Sequence, residues 1–148
     1  MFKILLATDG SVHALKAAEY VVKLCQRMAD AEVTALYVKD LSLPMVGFMD
    51  GLELGVLPDG VAMQREVEEA AATALKEAEG VLERGGRPIN TRSEWGQPVA
   101  VIVNTAEQEG FDLVVLGSRG HGHITGMFLG SVSDRVAHES KVPVLIVR

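Results

Sequence analysis

"LVVLGSRGHGHITGMFLGSV", residues 113–132, decides how the chain is to be read. A four-residue apolar run gives way at Gly117 to a loop with five glycines between positions 117 and 132, and a helical pattern starts at Ser131. A short apolar run closed by Gly reads as a strand covered on both faces. Glycine opens backbone conformations closed to other residues, so loop amides can turn toward an anion. The helix that follows adds unpaired N–H groups and a favourable dipole. Strand, glycine loop and helix together point to a phosphate site.

The rest of the chain repeats the alternation. "KILLAT" (3–8) reads as a buried strand ended by Asp9-Gly10. Ser11 is a candidate N-cap for a helix reaching about Ala29, with Leu15, Ala18, Val22, Cys25 and Ala29 on one stripe. "EVTALYV" (32–38) is a second strand. From Val61 to about Arg84, Met63, Val67, Ala71, Ala74, Ala78 and Leu82 mark one face of a long helix that Gly85-Gly86 ends. "INTRSEW" (89–95) is a polar third strand, and 98–110 is a helix stopped by Gly110. "LVVLG" (113–117) and "VPVLIV" (142–147) are strands four and five, with a helix at 131–139 between them.

Such alternation requires crossover connections, hence an α/β fold with a five-stranded parallel sheet and helices on both faces. No repeat or low-complexity linker interrupts it, so residues 1–148 are expected to form one domain. Ligands of open parallel sheets bind beyond the carboxyl ends of the strands, which is where Asp9 and the glycine loop lie.

Composition excludes several classes. The net charge of −6 argues against non-specific nucleic-acid binding, which depends on basic patches. "MFKILLATDG" is too short and too quickly polar for a signal peptide, and no apolar run has membrane-spanning length, so a cytoplasmic location is expected. Cys25 is the single cysteine and reads first as a buried apolar thiol, with a reactive thiol as the alternative.

Two familiar phosphate motifs fail. Gly117 and Gly122 have P-loop spacing, but His123 and Ile124 stand where Lys and Ser/Thr belong. Gly120-x-Gly122-x-x-x-Gly126 misses the dinucleotide fingerprint by one residue, and only 22 residues follow Gly126.

The pattern that fits is Gly117-x-x-Gly120-x9-Gly130-Ser131, with which the chain resembles the universal stress protein family in its ATP-binding subgroup. The resemblance runs from "KILLATDGS" to "VPVLIV". It implies a doubly wound, Rossmann-like sheet of strand order 3-2-1-4-5. It implies that Gly117, Arg119, Gly120 and His121 wrap the ribose and phosphates, and that Gly130, Ser131, Val132 and Ser133 close on the phosphates at the helix start. Asp9 would approach the nucleoside, and Ala7, Val38 and Leu116 would line the adenine pocket, with the Val38 backbone reading the base edge. Many members carry a proline near the end of strand one, where this chain has "ATDG".

Plainer roles stand beside these. Ser131 alone fits an N-cap, Asp9 alone fits a turn with Gly10, and Arg119 fits a solvated charge as well as a phosphate partner. His121 and His123 alternate without a third ligand nearby, so a dedicated metal site is not expected; magnesium or manganese would arrive with the nucleotide. Trp95, the only tryptophan, is expected to pack at the end of strand three. Residues 39–60 carry Met45, Phe48 and Met49 among glycines and prolines, and fit either a poorly ordered connection or a flap or partner-docking surface.

"INTRSEW" suits a solvated edge, whereas "VPVLIV" is apolar and, in the order implied by the resemblance, an edge needing cover. A two-fold dimer pairing strand five with its copy is expected from the resemblance. The functional expectation is an ATP-binding stress-response regulator with at most slow hydrolysis. The alternatives are a metal-dependent ATPase or phosphotransferase using Asp9, and a nucleotide-independent adaptor acting through residues 39–60.

Overall fold

Five strands form in the order the patterns mark: β1 (Phe2–Ala7), β2 (Ala31–Lys39), β3 (Ile89–Trp95), β4 (Leu113–Gly117) and β5 (Val144–Val147). The helices between them are α1 (Val12–Arg27), α2 (Gly60–Leu82), α3 (Pro98–Gln108) and α4 (Ser131–Glu139). The computed structural model describes residues 1–40, 42, 59–121 and 129–148. Most of the 39–60 stretch, with its reading as a flap or docking surface, lies outside them, as do Gly122, His123 and Gly126.

The sheet is parallel throughout, with strand order β3-β2-β1-β4-β5. Period-two alternation along each strand divides the core in two. Ile4 and Leu6 of β1, Val33 and Ala35 of β2 and Val115 of β4 face α1 and α2, meeting Ala18, Val21, Cys25 and Leu82. Leu5, Leu36, Val114 and Leu116 face α3 and α4, meeting Val99, Ile102, Ala106 and Val136. Ile4, Leu5 and Leu6 have no exposure at all, each contributing about 1.5–3 kcal/mol from burial alone. Helices thus cover both faces of one α/β domain.

Local chemistry sets the helix ends. Ser11 caps α1 by accepting a hydrogen bond from the Ala14 amide. The other end stops at Arg27 rather than near Ala29, because the Arg87 guanidinium donates to the carbonyls of Cys25, Met28 and Ala29. A cation on those carbonyls opposes the negative end of the helix dipole. Ala29 is consequently exposed, and the buried stripe of α1 runs through Ala14, Ala17, Ala18, Val21, Val22 and Cys25, with Leu15 only half-buried. Asp59 caps α2, whose buried stripe is Val67, Ala71, Ala74, Ala78 and Leu82; Met63 is half-buried. A turn of 3₁₀-helix at Glu83–Gly85 then leads out through Gly86.

Cys25 is buried, and burial pushes its thiol above the ordinary range, with Arg87 partly opposing the shift. The thiolate is therefore disfavoured, which suits the apolar reading. Trp95 remains 39% exposed. Its ring lies 4.7 Å from the Lys39 ammonium, which is buried and paired with Glu68 of α2 at 3.0 Å. The tryptophan therefore covers a buried charge rather than filling apolar space.

Candidate functional site

The carboxyl ends of β1, β2 and β4 open onto a cavity of about 480 Å³ that also draws its wall from α3 and the first turn of α4. Every residue that the resemblance assigns to the nucleotide lines it. Ala7 and Asp9 come from the end of β1, and Val38 from β2. Leu116, Gly117, Arg119, Gly120 and His121 come from the end of β4 and its loop, and Gly130, Ser131, Val132 and Ser133 from the start of α4.

The cavity has two chemically distinct ends. Ala7, Leu36, Val38, Ile102 and Leu116 make an apolar wall continuous with the α3–α4 side of the core. Residues of the β1–α1 turn, of the β4 loop and of the α4 N-terminus make the other end. The N-cap of α4 is Gly130, not Ser131, and no side chain caps it. The amides of Ser131, Val132 and Ser133 therefore have no acceptor within the helix, and the dipole favours negative charge there.

Hydrogen bonds tie these segments together. The Asp9 carboxylate accepts from the Ser11 amide at 2.9 Å, and His121 Nε2 lies 2.7 Å from the Asp9 carbonyl oxygen. Ser11 Oγ is 3.3 Å from the Arg119 carbonyl oxygen. The Gly130 amide donates to the Ser118 carbonyl at 2.7 Å, and Ser133 Oγ lies 3.0 Å from both the Ser118 and Gly130 carbonyl oxygens. The Ser133 hydroxyl thus stitches the loop to the helix, leaving its backbone N–H as the group it presents. A Cβ on Gly130 would stand 3.3 Å from Arg119 Cα, and one on Gly120 would stand 2.4 Å from Asp9 Oδ2.

Gly117 has a further reason to be glycine. A Cβ there would lie 2.5 Å from the His13 carbonyl carbon and 2.7 Å from the Ala14 nitrogen. Helix α1 packs directly onto the end of β4, so this position serves the fold as well as the loop.

The structure also brings in Thr8, Ala14, Leu36, Tyr37, Pro98, Ile102 and Leu129. Leu36 was visible in principle, since it alternates with Val38 along β2. Pro98 and Ile102 are one helical turn apart, but the pattern of α3 does not say which element its face meets. Tyr37 is half-buried, and burial raises its phenol above the ordinary value, with the Asp9 charge adding to the shift. Among the described residues no group of three or more His, Cys, Asp or Glu side chains is placed to hold a metal ion. None of the described helices is long and apolar enough to cross a membrane.

Comparison with known proteins places this architecture. The model of the universal stress protein family matches residues 1–148. The chain belongs to that family. It is 35% identical over 146 residues to universal stress protein MJ0531 of Methanocaldococcus jannaschii, covering 99% of this chain and 81% of that one. It is 58% identical over 146 residues to universal stress protein Mb2028c of Mycobacterium bovis, covering 98% of this chain but 45% of the longer relative. Among solved structures, MJ0577 of Methanocaldococcus jannaschii superposes with a TM-score of 0.78 at 28% identity, covering 99% and 94% of the two chains. A universal stress protein in complex with cAMP gives 0.66 at 26% identity, covering 99% and 96%.

Proposed function

We propose that this universal stress protein is a regulatory protein of a cytoplasmic stress response that binds an adenine nucleotide, with ATP as the preferred ligand, and acts as a homodimer. The observation that carries the reading is the two-ended cavity, apolar where a base would stack and lined by the β4 glycine loop and an uncapped helix N-terminus where phosphates would lie. The family member solved with cAMP supports an adenine nucleotide as the ligand class.

In this reading Ala7, Val38 and Leu116 hold the adenine and Asp9 stands by the ribose. Gly117, Arg119, Gly120 and His121 wrap the ribose and phosphates, and Gly130 to Ser133 receive the phosphates. Each amide-to-phosphate bond contributes roughly 1.5–3 kcal/mol, so several with a buried base reach about the 8 kcal/mol of a micromolar site after association costs. Magnesium or manganese would come with the phosphates, which supply most of its ligands. Among the described lining residues Asp9 and His121 are the carboxylate and imidazole, and both make hydrogen bonds to the β1–α1 turn, so turnover in this reading is slow.

Melting nucleotide-free protein with and without ATP and magnesium tests the proposal. Ligand at a hundred times Kd adds about 2.7 kcal/mol, or roughly 5–10 °C for a domain of this size. An unchanged midpoint at millimolar ATP would remove the proposal in favour of the adaptor reading.

The dimer follows from β5, an edge strand whose four residues are apolar and half-buried. Pairing with the same strand of a second copy, antiparallel about a two-fold axis, would cover it. Light scattering at micromolar concentration should return twice the chain mass; a monomer mass contradicts this pairing.

A further inference from the structure

Helix α2 contributes no residue to the cavity lining, yet it packs against the back of the turn that carries Asp9. Gly10 has a φ of +77°, and a Cβ built on it would lie 3.0 Å from the Ala74 Cβ and 3.5 Å from the Ala74 Cα. Ala74 is 4% exposed, near the middle of α2. On its other side the same turn meets the ligand loop, through His121 on the Asp9 carbonyl and through the Asp9 carboxylate against Gly120. The turn is held between a methyl group behind it and the glycine loop in front.

Gly10 has no side chain to rotate away, so extra volume at position 74 must move either the turn or the helix. We infer that Ala74 is a positioning residue for the nucleotide site: its methyl group sets where the Asp9 carboxylate stands relative to Gly120 and His121. The inference rests on the function proposed above. It also makes α2 a route of regulation. A displacement of α2 that shifts the turn changes nucleotide affinity, and bound nucleotide by the same coupling changes the position of α2.

The test compares Ala74→Val with Ala78→Val, an equally sized change at a fully buried position one turn further along the same stripe. ATP affinity and melting temperature are measured for both and for the wild type. Both variants should melt lower than the wild type, while Ala74→Val alone weakens ATP by roughly tenfold, within the usual range of site-to-site coupling. Ala74→Ser, a one-atom increment, should shift affinity in the same direction by about two- to fivefold, and supplies the readout if the valine does not fold. Unchanged affinity in the folded variants at position 74, or an equal loss in Ala78→Val, overturns the inference. Failure of the wild type to bind ATP instead removes the proposed function, and is separately visible.

Discussion

Gly117→Ala is expected to lower stability by about 1–3 kcal/mol, or roughly 2–10 °C in melting temperature, without any ligand present. The atoms that a new methyl group would strike are main-chain atoms of His13 and Ala14, at 2.5–2.7 Å. Main chain does not rotate aside, so α1 must lift from β4. Its buried face, with Ala14, Ala17 and Ala18 exposed by no more than 3%, would lose packing along with it. Gly120→Ala is the informative companion. There the methyl meets Asp9 Oδ2, the mobile end of a side chain, so the fold should lose less than about 1 kcal/mol. Thermal melts of the two variants decide the matter: equal midpoints would mean that the close approach of α1 does not explain the glycine at the end of β4.

Gly130→Asp should separate binding from folding more sharply. Gly130 is the N-cap of α4 with φ −71° and ψ 157°, a conformation open to any residue. Aspartate is among the best N-cap residues and is preferred over glycine by a few tenths of a kcal/mol, so the apo protein should melt close to the wild type. The added Cβ meets Arg119 Cα at 3.3 Å, which a shift of a few tenths of an ångström relieves. The carboxylate, however, takes up the first-turn amides and puts negative charge where phosphates would lie. Losing two amide-to-phosphate bonds at roughly 1.5–3 kcal/mol each corresponds to a loss of affinity of about 10²–10⁴. A variant that binds ATP normally would show that the phosphates are not held at α4.

The fold was legible because its evidence is local and periodic. The apolar run before Gly117 and the 3.6-residue stripes of the helices each report the element that contains them. What escaped reading depends on residues distant in sequence. The end of α1 is set by Arg87, about 60 positions from the carbonyls it holds. Trp95 covers Lys39, and the ion pair beneath it comes from a third element, α2. The cavity was read more completely at its glycine-loop end, where glycine spacing carries information, than at its apolar end. Tyr37, Pro98 and Ile102 look like ordinary strand and helix residues until the sheet and α3 are brought together. Ser131 against Gly130 as the cap is a one-residue ambiguity, since both precede a helical pattern and both are acceptable caps.

The most direct measurement is a calorimetric titration of ATP with magnesium into nucleotide-free wild-type protein, run beside Gly130→Asp. One nucleotide should bind per chain with a Kd in about the micromolar range, and the variant should lose at least about a hundredfold. No binding to the wild type at millimolar ATP, in protein shown to be folded and free of retained nucleotide, would contradict this expectation.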